Sequence, residues 1–332
     1  MLLVVNYHYV RAERDATPRA IHPVVATDFA AQLDELGRSF EFVSRDQLLA
    51  AVGGGAPLPD LACLITLDDG LREQVEIALP LLLRRGVPAL FFVSGAPVEE
   101  RRVLYVHKVH SLREHLDDET LLESLEAEFE PGQAGLESVS ATAAAAAYRY
   151  DTPQVAALKY LLNTVLGPRR PEPVDRVFAQ FFVEETIAES LYASAEQVRE
   201  LEALGALGAH GYSHRPLAVL GAREARADLE RGAEVLERIV GHRPRTLSYP
   251  YGTPAAVDPA IAGEAAAAGF AVGMTLERAF NRTFDDPLLL ARLDANDAPG
   301  GRAPLFAIED GSIELHGNMT WARSRYLAEE AA

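Results

Sequence analysis

Residues 64–70 read Leu64-Ile65-Thr66-Leu67-Asp68-Asp69-Gly70, an apolar and β-branched run that ends in two adjacent carboxylates and a glycine. The run from Ala62 to Leu67 is typical of a short strand buried on both faces, as in a parallel sheet that helices cover. The carboxyl ends of such strands form the active-site face, and Asp68 and Asp69 fall there. Two adjacent carboxylates repel each other unless a cation or a proton separates them. One interpretation is a metal ligand beside a proton acceptor; the alternative is an ordinary Asp-Gly turn with a solvated aspartate.

Strands and helices alternate on both sides of this stretch. Up to residue 94, the pattern predicts strand 2–9, helix 27–37, strand 40–43, helix 45–52, strand 62–67, helix 73–85 and strand 88–94. From residue 195 it predicts helices 195–204, 223–240 and 261–269 and strands 270–275 and 288–293. Residues 246–252 are predicted as a strand that ends in a rigid turn. Alternation of this kind indicates parallel pairing with right-handed crossovers. A chain of 332 residues is long enough for one α/β barrel domain.

Residues 98–194 interrupt the alternation with patterns that are mostly helical. We interpret this segment as a helical insertion or lid within a single domain that spans residues 1–332, rather than as a second independent domain. Its beginning, around Tyr105 and His107, is rich in polar groups that are candidates for ligand contacts. The alternative for these side chains is an ordinary solvated amphipathic helix.

The composition is that of a soluble globular protein, with 48% hydrophobic and 24% charged residues. The formal net charge of −18 argues against nucleic acid or an anionic membrane as the main partner. Cys63 is the single cysteine, so no intramolecular disulfide can form, and we expect it to be a core residue. The first residues lack the features of a signal peptide, and no stretch reaches the roughly 18 apolar residues of a membrane span. We therefore expect a cytoplasmic protein, and we leave open whether it forms a homo-oligomer.

Two histidines four residues apart, His210 and His214, follow another predicted strand end. Two imidazoles and one carboxylate are a common ligand set for a hydrolytic Zn²⁺ site with water in the open position. The spacing alone is a weak signal, because surface histidines four residues apart are common. Its context strengthens it: the Asp68-Asp69 pair, the two histidines and the turn at residues 249–252 all follow strand ends. The sequence therefore predicts that these three motifs meet on one face of the barrel.

These motifs resemble those of the polysaccharide deacetylases of the NodB-homology type, carbohydrate esterase family 4. Residues 66–70 are similar to the family's TFDDG motif, residues 210–214 resemble its second motif, with two histidines four apart, and residues 248–252 resemble its third. The pair Tyr7-His8 and residues 77–93 are also similar to the family. The resemblance covers residues 1–95 and 195–300 and not the segment between them. It implies an α/β fold, a distorted (β/α)7-type barrel with a helical insertion.

The resemblance also implies roles for individual residues. Asp69, His210 and His214 would bind one divalent metal ion, with zinc preferred and cobalt, nickel, iron or manganese as alternatives. Asp68 would be the general base, and the backbone N–H of Tyr251 would help to hold the oxyanion. The candidates for substrate binding are Tyr7, Tyr105, His107, Pro250 and Tyr251. A bound dication lowers the pKa of its water to around 7, so that a carboxylate can finish deprotonating it.

The third motif departs from the family. Many members carry an arginine two residues before the proline, where it orients the catalytic aspartate; this chain has Ser248 there. The sequence is closer to a subgroup whose third motif reads FAYPYG, which also lacks that arginine. Arg292 is a candidate to supply the charge from another strand, and the alternative is a surface arginine. In that subgroup the general acid is a histidine on the first strand, which matches His8; His316 is the other candidate.

The sequence thus predicts a metal-dependent hydrolase that removes an N-acyl group, with acetyl preferred, from an amino sugar. The substrate is expected to be a free, nucleotide-linked or lipid-linked sugar or a glycan used in polysaccharide or glycoconjugate synthesis. A deformylase or an O-deacetylase that uses the same site is one alternative. A catalytically silent sugar-binding module on the same barrel is the alternative from another class, and intact Asp68, Asp69, His210 and His214 argue against it.

Overall fold

The structure is a computed structural model that describes residues 1–13, 21, 23–128, 139–148, 151–167, 170–309 and 312–316. Its internal contacts divide the chain into two compact units. The first unit contains described residues from 1–13, 23–100 and 191–316, and the second contains residue 21 and described residues from 101–190. Within the described part of the chain, no helix combines the length and the apolar character that crossing a bilayer requires.

A parallel sheet of eight strands is the centre of the first unit. The strands are β1 (Leu2–Tyr7), β4 (Glu41–Phe42), β5 (Ala62–Leu67), β6 (Ala89–Val93), β7 (Leu207–Ala209), β8 (Thr246–Ser248), β9 (Val272–Met274) and β10 (Leu293–Asp294). Seven of them follow the order β10-β1-β5-β6-β7-β8-β9, and β4 pairs with the amino-terminal end of β5. A parallel bridge between Met274 and Leu290 links β9 to the segment leading into β10, so the sheet curls back on itself. The predicted α/β fold with a distorted barrel of parallel strands is confirmed.

Helices and two small sheets complete the first unit. Its helices are α1 (Ala26–Leu36), α2 (Arg45–Val52), α3 (Leu79–Arg85), α4 (Gly95–Glu100), α11 (Ala195–Ala203), α12 (Ala222–Val240) and α13 (Pro259–Ala267). Strands β2 (Val10–Arg11) and β3 (Val24–Val25) form a parallel pair, and β11 (Phe306–Glu309) and β12 (Ser312–Leu315) form an antiparallel one. The predicted start of α11 is confirmed, because the Ser194 side chain accepts a hydrogen bond from the Gln197 backbone N–H in a capping box.

Alternate residues of each strand face two different layers. Leu3 and Val5 of β1 pack with residues of α1, α3, α11, α12 and α13 in one large cluster. Leu2 and Val4 belong to a second cluster, which contains strand residues from β5, β6 and β9. Side chains alternate along a strand with a period of two, so one cluster lies under the helices and the other fills the inner face of the curled sheet. The same alternation directs Asn6 to the inner face and Tyr7 to the helix side.

The second unit is helical. Its helices are α5 (Tyr105–His115), α6 (Asp118–Glu126), α7 (Ala141–Ala147), α8 (Pro153–Tyr160), α9 (Glu172–Phe181) and α10 (Glu184–Leu191). The buried Lys108 ammonium of α5 lies 2.8 Å from Asp175 of α9 and 2.9 Å from Glu184 of α10, which ties three helices together. That residues 98–194 form an insertion within a single enzyme domain stays a prediction.

Two predicted elements differ from the structure. The predicted strand 288–293 is instead a 3₁₀ helix at Pro287–Leu289, and only Leu293–Asp294 form a strand. Pro287 sits in the first turn of that helix, where its fixed φ favours a helical turn. The predicted helix 73–85 begins with a π turn at Gln74–Ala78 before α3. Pro80 lies just after this turn and has no N–H to continue the regular hydrogen-bond ladder.

Candidate metal centre

Three predicted motifs meet at the carboxyl end of the sheet. Asp68 and Asp69 follow β5, His210 follows β7, and Ser248 is the last residue of β8. These strands are parallel and lie next to one another through β6, so their carboxyl ends share one edge. The structure therefore brings together side chains that are up to 180 residues apart in the chain, as the Ser248–Asp68 hydrogen bond shows.

Asp69, His210 and His214 form a buried cluster whose ligand atoms all lie within 4.8 Å of one another. Oδ1 of Asp69 lies 3.4 Å from Nε2 of His210 and 3.2 Å from Nε2 of His214. Ligand atoms bound about 2.0–2.1 Å from a tetrahedral Zn²⁺ lie about 3.3–3.4 Å apart. One carboxylate and two imidazoles at these separations fit a zinc-like cation that keeps its remaining position open.

The backbone at this cluster takes an unusual conformation. Asp69 has φ +78° and His214 has φ +56°, so both are non-glycine residues in the left-handed region. Tyr251, which is three residues beyond β8, has φ +63°. Such residues are strained by about 1–3 kcal/mol each and persist only where the surrounding structure holds them. Strain at three residues around one cluster indicates a site that the fold preorganises.

The ring of His210 is oriented by a backbone carbonyl. Its Nδ1 lies 2.7 Å from the carbonyl oxygen of Ser248, which can only accept a hydrogen bond. Nδ1 therefore carries the proton, and in the neutral ring Nε2 presents its lone pair on the side of Asp69. Carbonyl partners of this kind commonly fix the tautomer of metal-binding histidines.

Asp68 is held by a buried network on the inner face of the sheet. Nη1 and Nη2 of Arg292 each lie 2.8 Å from one of its carboxylate oxygens, and Oγ of Ser248 lies 3.0 Å from Oδ2. The Arg292 side chain is 0% exposed, so the alternative of a surface arginine is wrong. The guanidinium also donates to the Thr275 carbonyl at 2.9 Å and to Asn6 Oδ1 at 3.0 Å.

The charged groups of the centre shift the pKa values of Asp68 and His210. Burial raises the pKa of Asp68, but Arg292 and His210 outweigh it, and the resulting pKa lies below the ordinary value. Burial lowers the pKa of His210, yet Asp68 and Asp69 raise it overall. The raised pKa of His210 indicates that the two carboxylates favour positive charge beside this ring. A divalent cation supplies such charge.

Two further predicted residues lie at the same edge. His8 directly follows β1, the neighbour of β5, and is half-buried. Nε2 of Gln74 donates to the carbonyl oxygens of both His8 and Asp68, at 2.8 and 2.5 Å, and so fixes the two backbones together. The ring of Tyr251 lies 5.1 Å from the ring of His214. Whether His8 and Tyr251 act in catalysis stays a prediction.

Within the first unit, two predicted residues, Tyr7 and His316, do not belong to this centre. Tyr7 is 1% exposed; it packs against Phe29, and its hydroxyl donates to Gln32, so it belongs to the core rather than to a surface open to substrate. His316 is exposed at the end of β12, outside the main sheet. In the second unit, His107 is buried and the Tyr105 hydroxyl donates to the Leu162 carbonyl; their predicted roles in substrate binding stay predictions.

Sequence reasoning missed three residues that hold the centre in place. Asn6 and Thr66 bond Arg292 from the inner face, and Asp228 of α12 bonds the loop between the two histidines. The period-two alternation of β1 and β5 could have found Asn6 and Thr66, because it places them on the same face as Asp68. Nothing in the local sequence around Asp228 distinguishes it from the other acidic residues of α12.

The family model described as "Polysaccharide deacetylase" matches residues 175–273. The match includes His210, His214 and the turn after β8, and Asp68 and Asp69 lie outside it. It confirms the resemblance to the NodB-type polysaccharide deacetylases that the motifs predicted. Neither this match nor the structural comparisons test the FAYPYG subgroup. No curated protein sequence matches the chain significantly.

Solved structures of other proteins share the fold, and two of the following three are named as deacetylases. The Streptococcus pyogenes deacetylase PplD in complex with acetate is 13% identical, with a TM-score of 0.54 over 88% of this chain and 91% of that one. IcaB from Ammonifex degensii is 21% identical, with a TM-score of 0.54 over 88% and 90%. The BpsB deacetylase domain from Bordetella bronchiseptica is 18% identical, with a TM-score of 0.51 over 88% and 95%. These likenesses extend along nearly the whole chain and show a common barrel.

Proposed function

We propose that this chain, whose resemblance to the polysaccharide deacetylases is confirmed, is a metal-dependent deacetylase that hydrolyses the N-acyl group, with acetyl preferred, of an amino sugar. The observation that carries the proposal is the buried Asp69, His210 and His214 cluster directly beside Asp68, whose carboxylate Arg292 fixes. We also propose that the substrate belongs to polysaccharide or glycoconjugate synthesis and that residues 98–194 are an insertion within this one enzyme.

Asp69, His210 and His214 would hold one divalent cation, and zinc suits the two imidazoles and one carboxylate best. When bound, such an ion polarises the acyl carbonyl as a Lewis acid and makes water more acidic. The protein contributes the rigid arrangement of the three ligands. The Ser248 carbonyl orients His210, and the strained backbone at Asp69 and His214 sets the direction of the other two ligands.

Asp68 is proposed as the general base, because it is ionised and correctly hydrogen-bonded for that task. Its lowered pKa keeps the carboxylate charged at neutral pH. The three hydrogen bonds from Arg292 and Ser248 use three of the roughly four lone-pair sites of a carboxylate. The remaining site can accept the proton of a water that attacks the acyl carbon. Arg292 acts as a positioning residue, since it holds Asp68 in one orientation.

His8 and the backbone N–H of Tyr251, both at the carboxyl edge of the sheet, are proposed to act on the nitrogen and the oxygen of the amide. His8 would donate a proton to the leaving nitrogen, because an amide nitrogen cannot leave as an anion. The backbone N–H of Tyr251 would donate a hydrogen bond to the oxyanion, and Pro250 fixes the turn that directs it. Pro250 is buried, and Tyr251 follows it with φ +63°, so this turn has a defined conformation.

An acetate-release assay with metal analysis tests the proposal. The purified protein is analysed for bound metal and incubated with N-acetylglucosamine in free, nucleotide-linked, lipid-linked and oligomeric form, and the deacylated product is detected by mass. We expect one divalent ion per chain and release of acetate from one of these classes. Activity should be lost after chelation and return with Zn²⁺ or Co²⁺.

Asp68→Asn is the matched variant, because it removes the proposed base and keeps the size of the side chain. It should bind metal as the wild type does and release no acetate. Metal binding with no hydrolysis of any N-acyl, N-formyl or O-acetyl sugar by the wild type would instead favour a sugar-binding module. Hydrolysis that survives complete removal of metal would contradict the proposal.

A further inference from the structure

We propose that Asp228 of α12 is a positioning residue that sets the conformation of the loop carrying both histidines of the candidate metal centre. The inference rests on the proposed metal site. The carboxylate of Asp228 accepts hydrogen bonds from the Tyr212 backbone N–H at 2.8 Å and from the Ser213 backbone N–H at 3.1 Å. The Ser213 hydroxyl also donates to it. Asp228 is thus bonded to the loop three times between His210 and His214.

Four other backbone groups of this loop bond to the β6–α4 connection next to it. The His210 N–H donates to the Val93 carbonyl at 2.9 Å, and the Ser94 hydroxyl donates to the His210 carbonyl at 3.0 Å. The carbonyls of residues 211 and 212 accept from the N–H groups of residues 95 and 96, each at 3.0 Å. The β6–α4 connection therefore holds the carbonyl side of the loop. Asp228 holds the N–H side, at residues 212 and 213.

Two glycines allow α12 to approach this loop closely. Gly211 has φ +66°, and a Cβ built there would lie 2.9 Å from Oδ1 of Asp228. A Cβ at Gly232, one turn beyond Asp228, would lie 2.5 Å from the carbonyl carbon and oxygen of Gly211. Residues four apart lie on one face of a helix, so Asp228 and Gly232 present a single docking face to the loop. The carboxylate thus occupies space that any other residue at position 211 would fill.

The Tyr212 side chain is held from the same two helices. The guanidinium carbon of Arg231 in α12 lies 3.8 Å from the centroid of the Tyr212 ring. The hydroxyl of Tyr212 donates a hydrogen bond to Glu100 of α4. Tyr212 is buried, and burial, with help from Glu100 and Glu99, raises the pKa of its phenol, so it stays a neutral donor. This contact fixes where the loop lies. It does not replace the acceptors that Asp228 provides for the N–H groups at 212 and 213.

The position of Asp228 explains how His214 keeps its strained backbone. His214 directly follows Ser213 and has φ +56°, a conformation that the surroundings must hold. Without the carboxylate, the N–H groups of residues 212 and 213 lose their acceptor, and the loop can relax toward an unstrained conformation. His214 would then move away from Asp69 and His210. Asp228 therefore acts on the metal through the loop and not as a ligand.

Cobalt binding by Asp228→Ala and Asp228→Asn tests this inference. Chelator-treated protein is titrated with Co²⁺, and the visible absorption of the bound ion reports its coordination geometry. We expect Asp228→Ala to weaken Co²⁺ binding by about 10–100-fold, the loss typical of residues that support metal ligands, and to change the spectrum. Asp228→Asn keeps one oxygen for Tyr212 and loses an acceptor for Ser213, so its effect should lie between the wild type and Asp228→Ala.

Asp34→Asn is the control, because Asp34 is also a helical aspartate bonded to a partner, Arg85 at 2.8 Å, on the surface of α1. It should bind Co²⁺ as the wild type does. A lower melting temperature of the Asp228 variants with unchanged Co²⁺ affinity and spectrum would show a merely structural role and overturn the inference. If Asp228→Ala does not fold, Asp228→Asn decides between the same outcomes. Failure of the wild type to bind Co²⁺ would overturn the proposed metal site itself, and the inference with it.

Discussion

Arg292 forms a bidentate ion pair with Asp68 across 224 residues of chain, with both nitrogen–oxygen distances at 2.8 Å. Both side chains are almost completely buried, at 0% and 3% exposure. The guanidinium also bonds the Thr275 carbonyl at the end of β9 and Asn6 of β1. It thus connects three strands of the barrel on the inner face. The pair keeps the carboxylate of the proposed base charged and in one orientation. The bond from Arg292 to the Thr275 carbonyl lies where the sheet closes, between β9 and the segment leading into β10.

Arg292→Met is expected to lower both stability and activity. Removing one partner of a buried ion pair leaves the other charge without compensation, which typically lowers the free energy of unfolding by about 3–5 kcal/mol. The freed carboxylate should also lose its orientation, so kcat for amide hydrolysis should fall by about 10²-fold. Urea unfolding of the metal-free protein measures the first effect, and steady-state kinetics measure the second.

The double variant Asp68→Asn, Arg292→Met separates the two effects. It removes both charges, so it should be more stable than Arg292→Met alone while remaining inactive. Equal stability of Arg292→Met and the double variant would show that the unpaired charge of Asp68 does not destabilise the single variant. A single variant with wild-type kcat would mean that Arg292 does not position the base.

The sequence predicts the edge of the barrel where the site lies better than it predicts which side chains face the site. An apolar run followed by polar residues marks a strand end, so the locations of Asp68, Asp69 and His210 followed from the pattern. Tyr7 shows the limit of that reasoning. It lies at a strand end, but the alternation of β1 turns its ring toward Phe29 and α1, while Asn6 faces inward.

Long-range contacts could not be predicted from one sequence. Arg292 lies in an apolar stretch of sequence. That local sequence is the same whether the arginine is exposed on the surface or buried as the partner of Asp68. Only the folded structure decides between them: the guanidinium of Arg292 reaches both carboxylate oxygens of Asp68 across the inner face of the sheet. The bonds from Asp228 depend in the same way on how α12 packs against the loop.

His214→Ala should remove most of the bound metal. Its Nε2 lies 3.2 Å from Asp69 Oδ1, and its loss leaves one imidazole and one carboxylate, too few ligands for tight Zn²⁺ binding. Metal analysis after dialysis should give close to one ion per chain in the wild type and far less in the variant. His242→Ala is the control, because His242 is more than half exposed and lies 3.1 Å from Glu202. Full metal content in His214→Ala would show that this histidine is not a ligand.

Glu99 is expected to contribute to the pH dependence of stability. A hydrogen bond from Arg238, opposed by burial and supported by Arg231, lowers the pKa of Glu99 from 4.5 to about 2. Because the pKa is lower in the folded state, the contribution is complete above about pH 4.5 and is lost as the pH falls toward about 2. In urea unfolding at several pH values, wild type should be more stable than Glu99→Gln at neutral pH, and the difference should shrink on acidification.

Glu200→Gln, on the exposed side of α11, controls for the loss of one acidic group. A difference that does not change with pH would contradict the ion pairs seen at Glu99.

His8→Gln should discriminate between amide and ester substrates. The leaving nitrogen of an amide needs a proton, whereas the phenolate of an aryl acetate leaves without one. If His8 donates that proton, its loss should lower kcat on an N-acetyl sugar by about 10²–10⁴-fold and have little effect on an aryl acetate. Asp68→Asn should damage both reactions, because both need an activated water. His316→Gln is the matched control; His316 is exposed at the end of β12 and should leave both rates unchanged. Wild-type amide hydrolysis by His8→Gln together with its loss in His316→Gln would assign the proton donor to His316 instead.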